Sequence, residues 1–331
     1  MRAATLGIAA ALLAGCHRTA PAPPLRPPRA AAAPPAGACP PPFGLSPSGA
    51  CRSASGVPRF SHVFLVVEEN EGLDAIVRSG KAPFLGQLID LGALLTNYHA
   101  VAHPSLPNYL ALAGGDTFGI TSDGEATEPD HQVGPSHDDL GRQLSRAGLG
   151  FRAYEEGMPV PCDPVDARLS RYAARHNPFP YFLGMQATPL CEESDVPFAS
   201  RGGGFLEDLA AGRVPAFSFL TPDVCDDGHD PCGGDPVAHA DAWLARIVPP
   251  LLASAAYRDH GALFITWDED DGKGAQNQVP LIVVSPLLRS PGLVSAVRHD
   301  HYGLLATIED AFGLPRLARA ATAHPIDDIW R

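Results

Sequence analysis

Short apolar runs that alternate with helical patterns predict an α/β fold, with a central, mostly parallel sheet and helices on both faces. A second observation agrees with it. Three polar clusters stand directly after or between such runs, and open sheets of this kind collect ligands at the carboxyl ends of their strands. The apolar run Val63-Phe64-Leu65-Val66-Val67 places a buried strand at 62–67, ending in Glu68-Glu69-Asn70. A helix is expected at 82–92, with further strands at 214–220, 262–267 and 281–284. Helices are expected at 106–113, 139–147, 238–255 and 302–312. Residues 156–204, rich in Pro and Gly, read as a long excursion over the active face. No internal repeat is visible.

The chain has 331 residues, 45% hydrophobic and 18% charged, which suits a globular domain with a sizeable core. The division expected is a leader at 1–15, a Pro/Ala-rich tether with a disulfide loop at 16–57, and one catalytic domain at 58–331. The formal net charge is −13, and Lys81 and Lys273 are the only lysines. Without a basic stripe, nucleic acid is excluded as a partner. The same field repels anionic ligands, so a site that takes one needs strong local positive charge, most simply a cation.

Arg2, the apolar run from Ala3 and the ending Leu13-Ala14-Gly15-Cys16 have the parts of an export signal, and the run is too short to span a bilayer. The ending resembles a bacterial lipoprotein signal, which would make Cys16 a lipidated first residue and the membrane a partner through that anchor. The alternative is ordinary signal cleavage nearby. The expected location is therefore the bacterial periplasm or outer membrane as a lipoprotein, or the medium. No protein partner is expected. Prolines between His17 and Ala38 block helix formation and make an extended tether.

Apart from Cys16 the cysteines are Cys39, Cys51, Cys162, Cys191, Cys225 and Cys232. An even set in an exported chain suggests disulfides, and short loop closure favours Cys39 with Cys51, Cys162 with Cys191, and Cys225 with Cys232. No close Cys-x-x-Cys pair supports a zinc site.

Three clusters carry candidate chemistry. Glu68-Glu69-Asn70 follows the first strand. Ser105, within Asn97-Tyr98-His99-Ala100-Val101-Ala102-His103-Pro104-Ser105-Leu106-Pro107-Asn108-Tyr109, falls at a strand-to-helix turn. A hydroxyl there could simply cap the helix. Its functional role would be attack on a phosphoryl group held by free backbone N–H groups, with Asn108 donating to the developing charge. Asp268-Glu269-Asp270-Asp271 follows the strand at 262–267; like charges packed at a strand end call for a cation, and their oxygens favour Mg²⁺, Ca²⁺ or Mn²⁺. Histidines also occur in the segment from Thr221 to Asp230 and in His299-Asp300-His301, which opens the last helix.

Taken together, Glu69-Asn70, Asn97-Tyr98-His99, His103-Pro104-Ser105-Leu106-Pro107-Asn108-Tyr109, Asp268-Glu269-Asp270 and His301-Tyr302 before Thr307-Ile308-Glu309-Asp310 resemble the alkaline phosphatase superfamily. Within it they resemble the exported acid phosphatase and phospholipase C branch, which includes small secreted phosphatidylinositol-3-phosphatases. The resemblance runs from about Ser61 to Ile326 and implies a three-layer α/β/α sandwich. It makes Ser105 the nucleophile and Asn108 a phosphate-oxygen donor, since Ser105-Leu106-Pro107-Asn108 matches the Thr-x-Pro-Asn turn of nucleotide pyrophosphatases. Glu69, Asn70, Asp268 and Glu269 would hold one divalent cation, with Asp223, His229 and His301 nearest to a second site. The Asp223 to His229 spacing is longer than in the pyrophosphatases, so one ion or two stays open. His229 or His301 would protonate the leaving alcohol, and His99 and His103 would contact substrate. Tyr109 stands where sulfatases need arginine.

The expected activity is metal-dependent hydrolysis of phosphate monoesters through a phosphoserine on Ser105. The substrate would be a phosphorylated small molecule or a phosphoinositide. The alternatives are a phospholipase C-type phosphodiesterase and a lipoprotein that binds its ligand without turnover.

Overall fold

The computed structural model describes residues 39–46, 49–199, 204–273 and 276–331. Cys16, the leader and most of the tether lie outside them. Nine strands form the main sheet: β1 Val63–Glu68, β2 Ala93–His99, β3 Phe151–Glu155, β4 Asp195–Pro197, β5 Phe217–Thr221, β6 Ala262–Trp267, β7 Gln278–Val284, β8 Leu293–Ser295 and β9 His299–Asp300. Their order is β8-β2-β7-β6-β1-β5-β3-β4, with β9 extending the pairing along β2. Every pairing is parallel except those of β7, which runs against both β2 and β6. The short link from β6 to β7 explains this, since a parallel return needs a crossover of a dozen or more residues.

β1 and β6 lie side by side at the centre, in register from Val63 with Ala262 to Glu68 with Trp267, and every residue of both is buried. Strands covered on both faces need continuous apolar runs, which is why these two were legible in the sequence. The strand-to-helix turn at Ser105 implied a strand before it, which is β2, while β3, β4, β8 and β9 were not anticipated. In β3, Phe-Arg-Ala-Tyr-Glu mixes charge with apolar groups, and β4 is only three residues long.

The larger helices are α1 Pro83–Leu91, α2 Ser105–Gly114, α3 Leu140–Arg146, α4 Pro236–Ala253 and α5 His301–Phe312. Each follows its expected position within a few residues. Asp139, Asp235 and Asp300 cap α3, α4 and α5 by accepting first-turn amides. α2 ends at Gly115, whose φ of 77° makes the left-handed turn that glycine adopts without steric cost. All ten residues of α2 are buried, because it packs under α5 and against the excursion.

The three expected disulfides are present, with Cα atoms 5.3–5.5 Å apart. The Cys39–Cys51 loop packs against the residues that follow it. Arg59 lies over the Phe43 ring, and Val57 is part of the core. Among the described residues, no helix is long and apolar enough to cross a membrane.

Candidate active site

The carboxyl ends of β1, β2, β5 and β6 converge, and Glu69 stands at their centre. Asn70 follows it with φ 50°, a left-handed turn that Asn tolerates, and this turns the Asn70 N–H onto Asp268 Oδ1 at 3.0 Å. Four groups surround the buried Glu69 carboxyl. Ser105 Oγ donates to Oε2 at 3.1 Å and Asn70 Nδ2 donates to the same oxygen at 2.7 Å. Tyr109 donates its hydroxyl to Oε1 at 2.9 Å, and His176 Nε2 lies 3.2 Å from that oxygen. Burial raises the Glu69 pKa to about 7, against the opposing pull of the Arg175 charge and the hydrogen bonds from Tyr109 and Ser105.

Ser105 is the first residue of α2 and is buried. Its hydroxyl does not cap the helix: Oγ is turned toward Glu69. The next amide, Leu106 N–H, donates to Asp123 Oδ1 at 2.9 Å.

Across from Ser105 lies the acidic end of β6. Asp268 is fully buried, and its Oδ2 has no hydrogen-bond partner. Burial, then the nearby Glu69, pushes its pKa well above the carboxylate range. Burial followed by Asp268 and Glu69 takes Glu269 to about 9. His103 bridges Glu269 and Asp270, pairing with Glu269 through Nδ1 and lying 3.5 Å from Asp270 Oδ1 through Nε2. Carboxylates crowded out of water in this way, with an orphaned oxygen on Asp268 and another on Asp270, have the donor chemistry of a hard divalent cation site. Glu69, His176 and Asp227 each bring a ligand atom within 4.8 Å of the others, a group that could hold a metal. A cleft of about 370 Å³, lined by Asn70, Glu71, His103, His229, Glu269 and Asp270 among others, lies beside these groups.

The structure brings together Ser105, Glu69, Asn70, Asp268, Glu269, His103 and His229, the last with its Nδ1 3.3 Å from Asn70 Nδ2. Four expected roles are corrected. Asn108 is no free phosphate donor: its Oδ1 accepts from Val101 N and Ala102 N, and its Nδ2 donates to Ala102 O and Pro104 O. It clamps the loop that leads into Ser105. His301 is fully buried and both ring nitrogens are engaged, Nε2 donating to Asp268 O at 2.6 Å and Nδ1 meeting the Tyr98 hydroxyl at 2.8 Å. Burial lowers its pKa to about 4, so the ring is neutral and positions the Asp268 backbone instead of protonating a leaving group.

His99 is tied to Gln276 O and Asn97 Oδ1 at 2.9 and 2.8 Å, which leaves no nitrogen for substrate. Asp223 belongs to a separate group with Glu156 and Asp226, where Arg246 meets Glu156 and Asp226 and Arg171 lies 3.9 Å from Asp223. The acid that does face Glu69 from this segment is Asp227, four residues on, whose pKa burial and Glu69 raise strongly.

Sequence reasoning missed Asp227, His176, Arg175 and Asp123. Asp227 stood inside a cluster already singled out, in which Asp223 was preferred. His176 comes from the excursion, stacks on Tyr109 with ring centroids 5.4 Å apart, and has no motif around it. Burial, then the neighbouring Arg175 charge, holds His176 well below its usual pKa.

Known proteins bear on this geometry. The Phosphoesterase family profile matches residues 76–315. A phosphatidylinositol-3-phosphatase of Mycobacterium tuberculosis is 36% identical over 84% of this chain and 85% of its own. A phosphate-repressible acid phosphatase of Penicillium chrysogenum is 28% identical over 71% of this chain and 55% of its own. The chain spans 51–60% of the length of the fungal acid phosphatases it matches. Among solved structures, an alkaline phosphatase superfamily protein of Vibrio parahaemolyticus superposes with a TM-score of 0.55 at 13% identity, covering 80% of this chain and 69% of that one. Murine ectonucleotide pyrophosphatase/phosphodiesterase 5 superposes at 0.53 and 12%, covering 82% of this chain and 100% of that one. At such identities the structures speak for the fold, while the family profile and the mycobacterial relative speak for descent. The chain belongs to the phosphoesterase family, as a hydrolase of phosphoric esters built on the fold of the alkaline phosphatase superfamily.

Proposed function

We propose that the protein is an exported, metal-dependent phosphomonoesterase of acid phosphatase type that works through a phosphoserine on Ser105. The observation that carries this reading is the Ser105 hydroxyl, uncapped at the head of a buried helix and donating to Glu69 Oε2 at 3.1 Å. A structural serine has no need of a buried carboxyl whose other contacts all hold it in place.

Glu69, Asn70, Asp268 and Glu269 are the residues that would hold the cation, which when bound supplies Lewis-acid polarisation and favours the Ser105 alkoxide. Glu69 Oε2, which accepts the Ser105 hydroxyl, would take its proton as the Ser105 Oγ–P bond forms and the bond from phosphorus to the ester oxygen breaks. His229 stands at the cleft and would give the departing alkoxide its proton; water, giving a proton back to His229, then breaks the Oγ–P bond as Glu69 returns the proton to Oγ, and phosphate is released. His103, half exposed and lining the cleft, pairs with Glu269 and would contact substrate from there.

The mycobacterial relative favours a phosphoinositide or another small phosphorylated molecule as substrate, and the disulfides favour an exported location. A second reading, cleavage of phosphodiesters, draws on a phospholipase C A of Mycobacterium tuberculosis that is 26% identical over 34% of this chain.

The test is acid quenching during turnover of p-nitrophenyl phosphate, with mass spectrometry for phosphate on Ser105. Ser105→Ala should lose both the adduct and at least about a thousandfold in kcat. Near-normal activity in that variant would end the assignment, and faster turnover of the choline-containing diester than of the monoester would favour the second reading.

A further inference from the structure

The site that would process a phosphate dianion is itself acidic, with Glu69, Asp227, Asp268, Glu269 and Asp270 close together and buried. A single divalent cation among these carboxylates is already partly neutralised by them. A phosphoryl group therefore needs a further, fixed positive charge.

Arg175 sits where such a charge would act. It comes from the excursion, beside His176, and although burial opposes its charge, the carboxylates of Glu69, Asp123 and Asp166 favour it. Its Nε lies 3.9 Å from Asp123 Oδ2, with the guanidinium 29% and the carboxyl 34% exposed. The other oxygen of Asp123 accepts the Leu106 N–H, the amide directly after the nucleophile, at 2.9 Å. Asp123 thus bridges a guanidinium and the amide beside Ser105 with its two oxygens. Two non-bridging oxygens of a phosphoryl group on its way to Ser105 Oγ would seek the same two donors.

We propose that Arg175 is the fixed cation that receives the phosphoryl group, and that Asp123 occupies its seat until substrate displaces it. The inference rests on Ser105 being the nucleophile. Substrate binding exchanges one anion for another: the phosphoryl oxygens take the Leu106 N–H and Arg175, and the Asp123 carboxylate turns out to solvent. The exchange keeps the amide and the guanidinium paired in the free enzyme, and leaves neither to be desolvated without a partner. It also makes the excursion part of the phosphate site itself, through two consecutive residues, Arg175 and His176.

Inorganic phosphate is the probe, measured as a competitive inhibitor of p-nitrophenyl phosphate hydrolysis at fixed divalent cation. Arg175→Ala should raise the phosphate Ki and the KM by about 10- to 100-fold, the range of a charge-assisted pair, with an unchanged melting temperature. Arg175→Lys should recover part of this, since it restores the charge without the planar fork. Asp123→Ala should tighten phosphate several-fold, because the competing carboxylate is gone. A Ki within twofold of wild type in Arg175→Ala, or no tightening in Asp123→Ala, would overturn the proposal. Calorimetric phosphate binding repeated in a Ser105→Ala background needs no turnover. A failure there with an inactive Ser105→Ala enzyme defeats this inference alone, whereas an active Ser105→Ala enzyme defeats the nucleophile assignment.

Discussion

Replacing Asn108 by alanine separates two roles that one motif would allow, phosphate donor and loop clamp. The side chain is fully buried and makes four hydrogen bonds to the backbone of 101–104, between 2.9 and 3.2 Å. Each such bond contributes about 1 kcal/mol net, and the loop can recover part of the loss by moving toward water, so Asn108→Ala should cost about 2–4 kcal/mol. For a domain of this size that corresponds to a fall of roughly 5–12 °C in melting temperature. Because the loop leads straight into Ser105, its displacement by about 1 Å should also reduce kcat by roughly a hundredfold. Asn108→Asp keeps the acceptor but loses both donors, and should fall between wild type and alanine in stability. Calorimetric melts beside steady-state kinetics read both effects. An unchanged melting temperature with a raised KM and phosphate Ki would refute the clamp and restore Asn108 as a substrate ligand.

Two further predictions address the metal and the pH response. Asp268→Asn should shift half-maximal activation by added divalent cation to at least about tenfold higher concentration, read by titrating Mg²⁺, Ca²⁺ and Mn²⁺ into chelator-treated enzyme; an unchanged response would remove Asp268 from the site. Glu309, buried in α5 with Oε1 accepting Leu317 N at 2.7 Å, is pushed by burial from 4.5 to about 9. The native state then holds a proton there that the unfolded chain has lost above pH 4.5, so this contribution is fully present at acid pH and declines until pH passes about 9. Melting temperatures should therefore fall between pH 5 and 9, and Glu309→Gln, which keeps a neutral group there, should flatten that decline; an identical slope in the variant would show that Glu309 does not drive it.

What was legible in the sequence was local. β1 and β6 announced themselves as unbroken apolar runs because both faces are covered, and the acids at their ends stand out because polar residues seldom follow such runs without purpose. α2 and its opening serine could be placed from the turn that precedes them. The disulfide pairs followed from short loop closure. β3 and β4 escaped because sheet neighbours, not their own pattern, stabilise them: β3 lies between β5 and β4 in parallel pairing, with strand partners distant in sequence.

By itself the sequence determined the α/β class and the family, and it pointed to Ser105 with its acidic surroundings, because each is written in a contiguous motif whose chemistry needs little context. Only the tertiary structure decided which polar groups are free. Asn108 and His301 carry suitable chemistry but spend it on backbone partners, a matter of where Val101, Ala102 and the Asp268 carbonyl lie in space. His176, Arg175 and Asp123 reach the site from segments far apart in the chain, and their meeting at Glu69 and Leu106 is set by the packing of the excursion over α2. A side chain's availability depends on what saturates it, and saturation is a property of the fold.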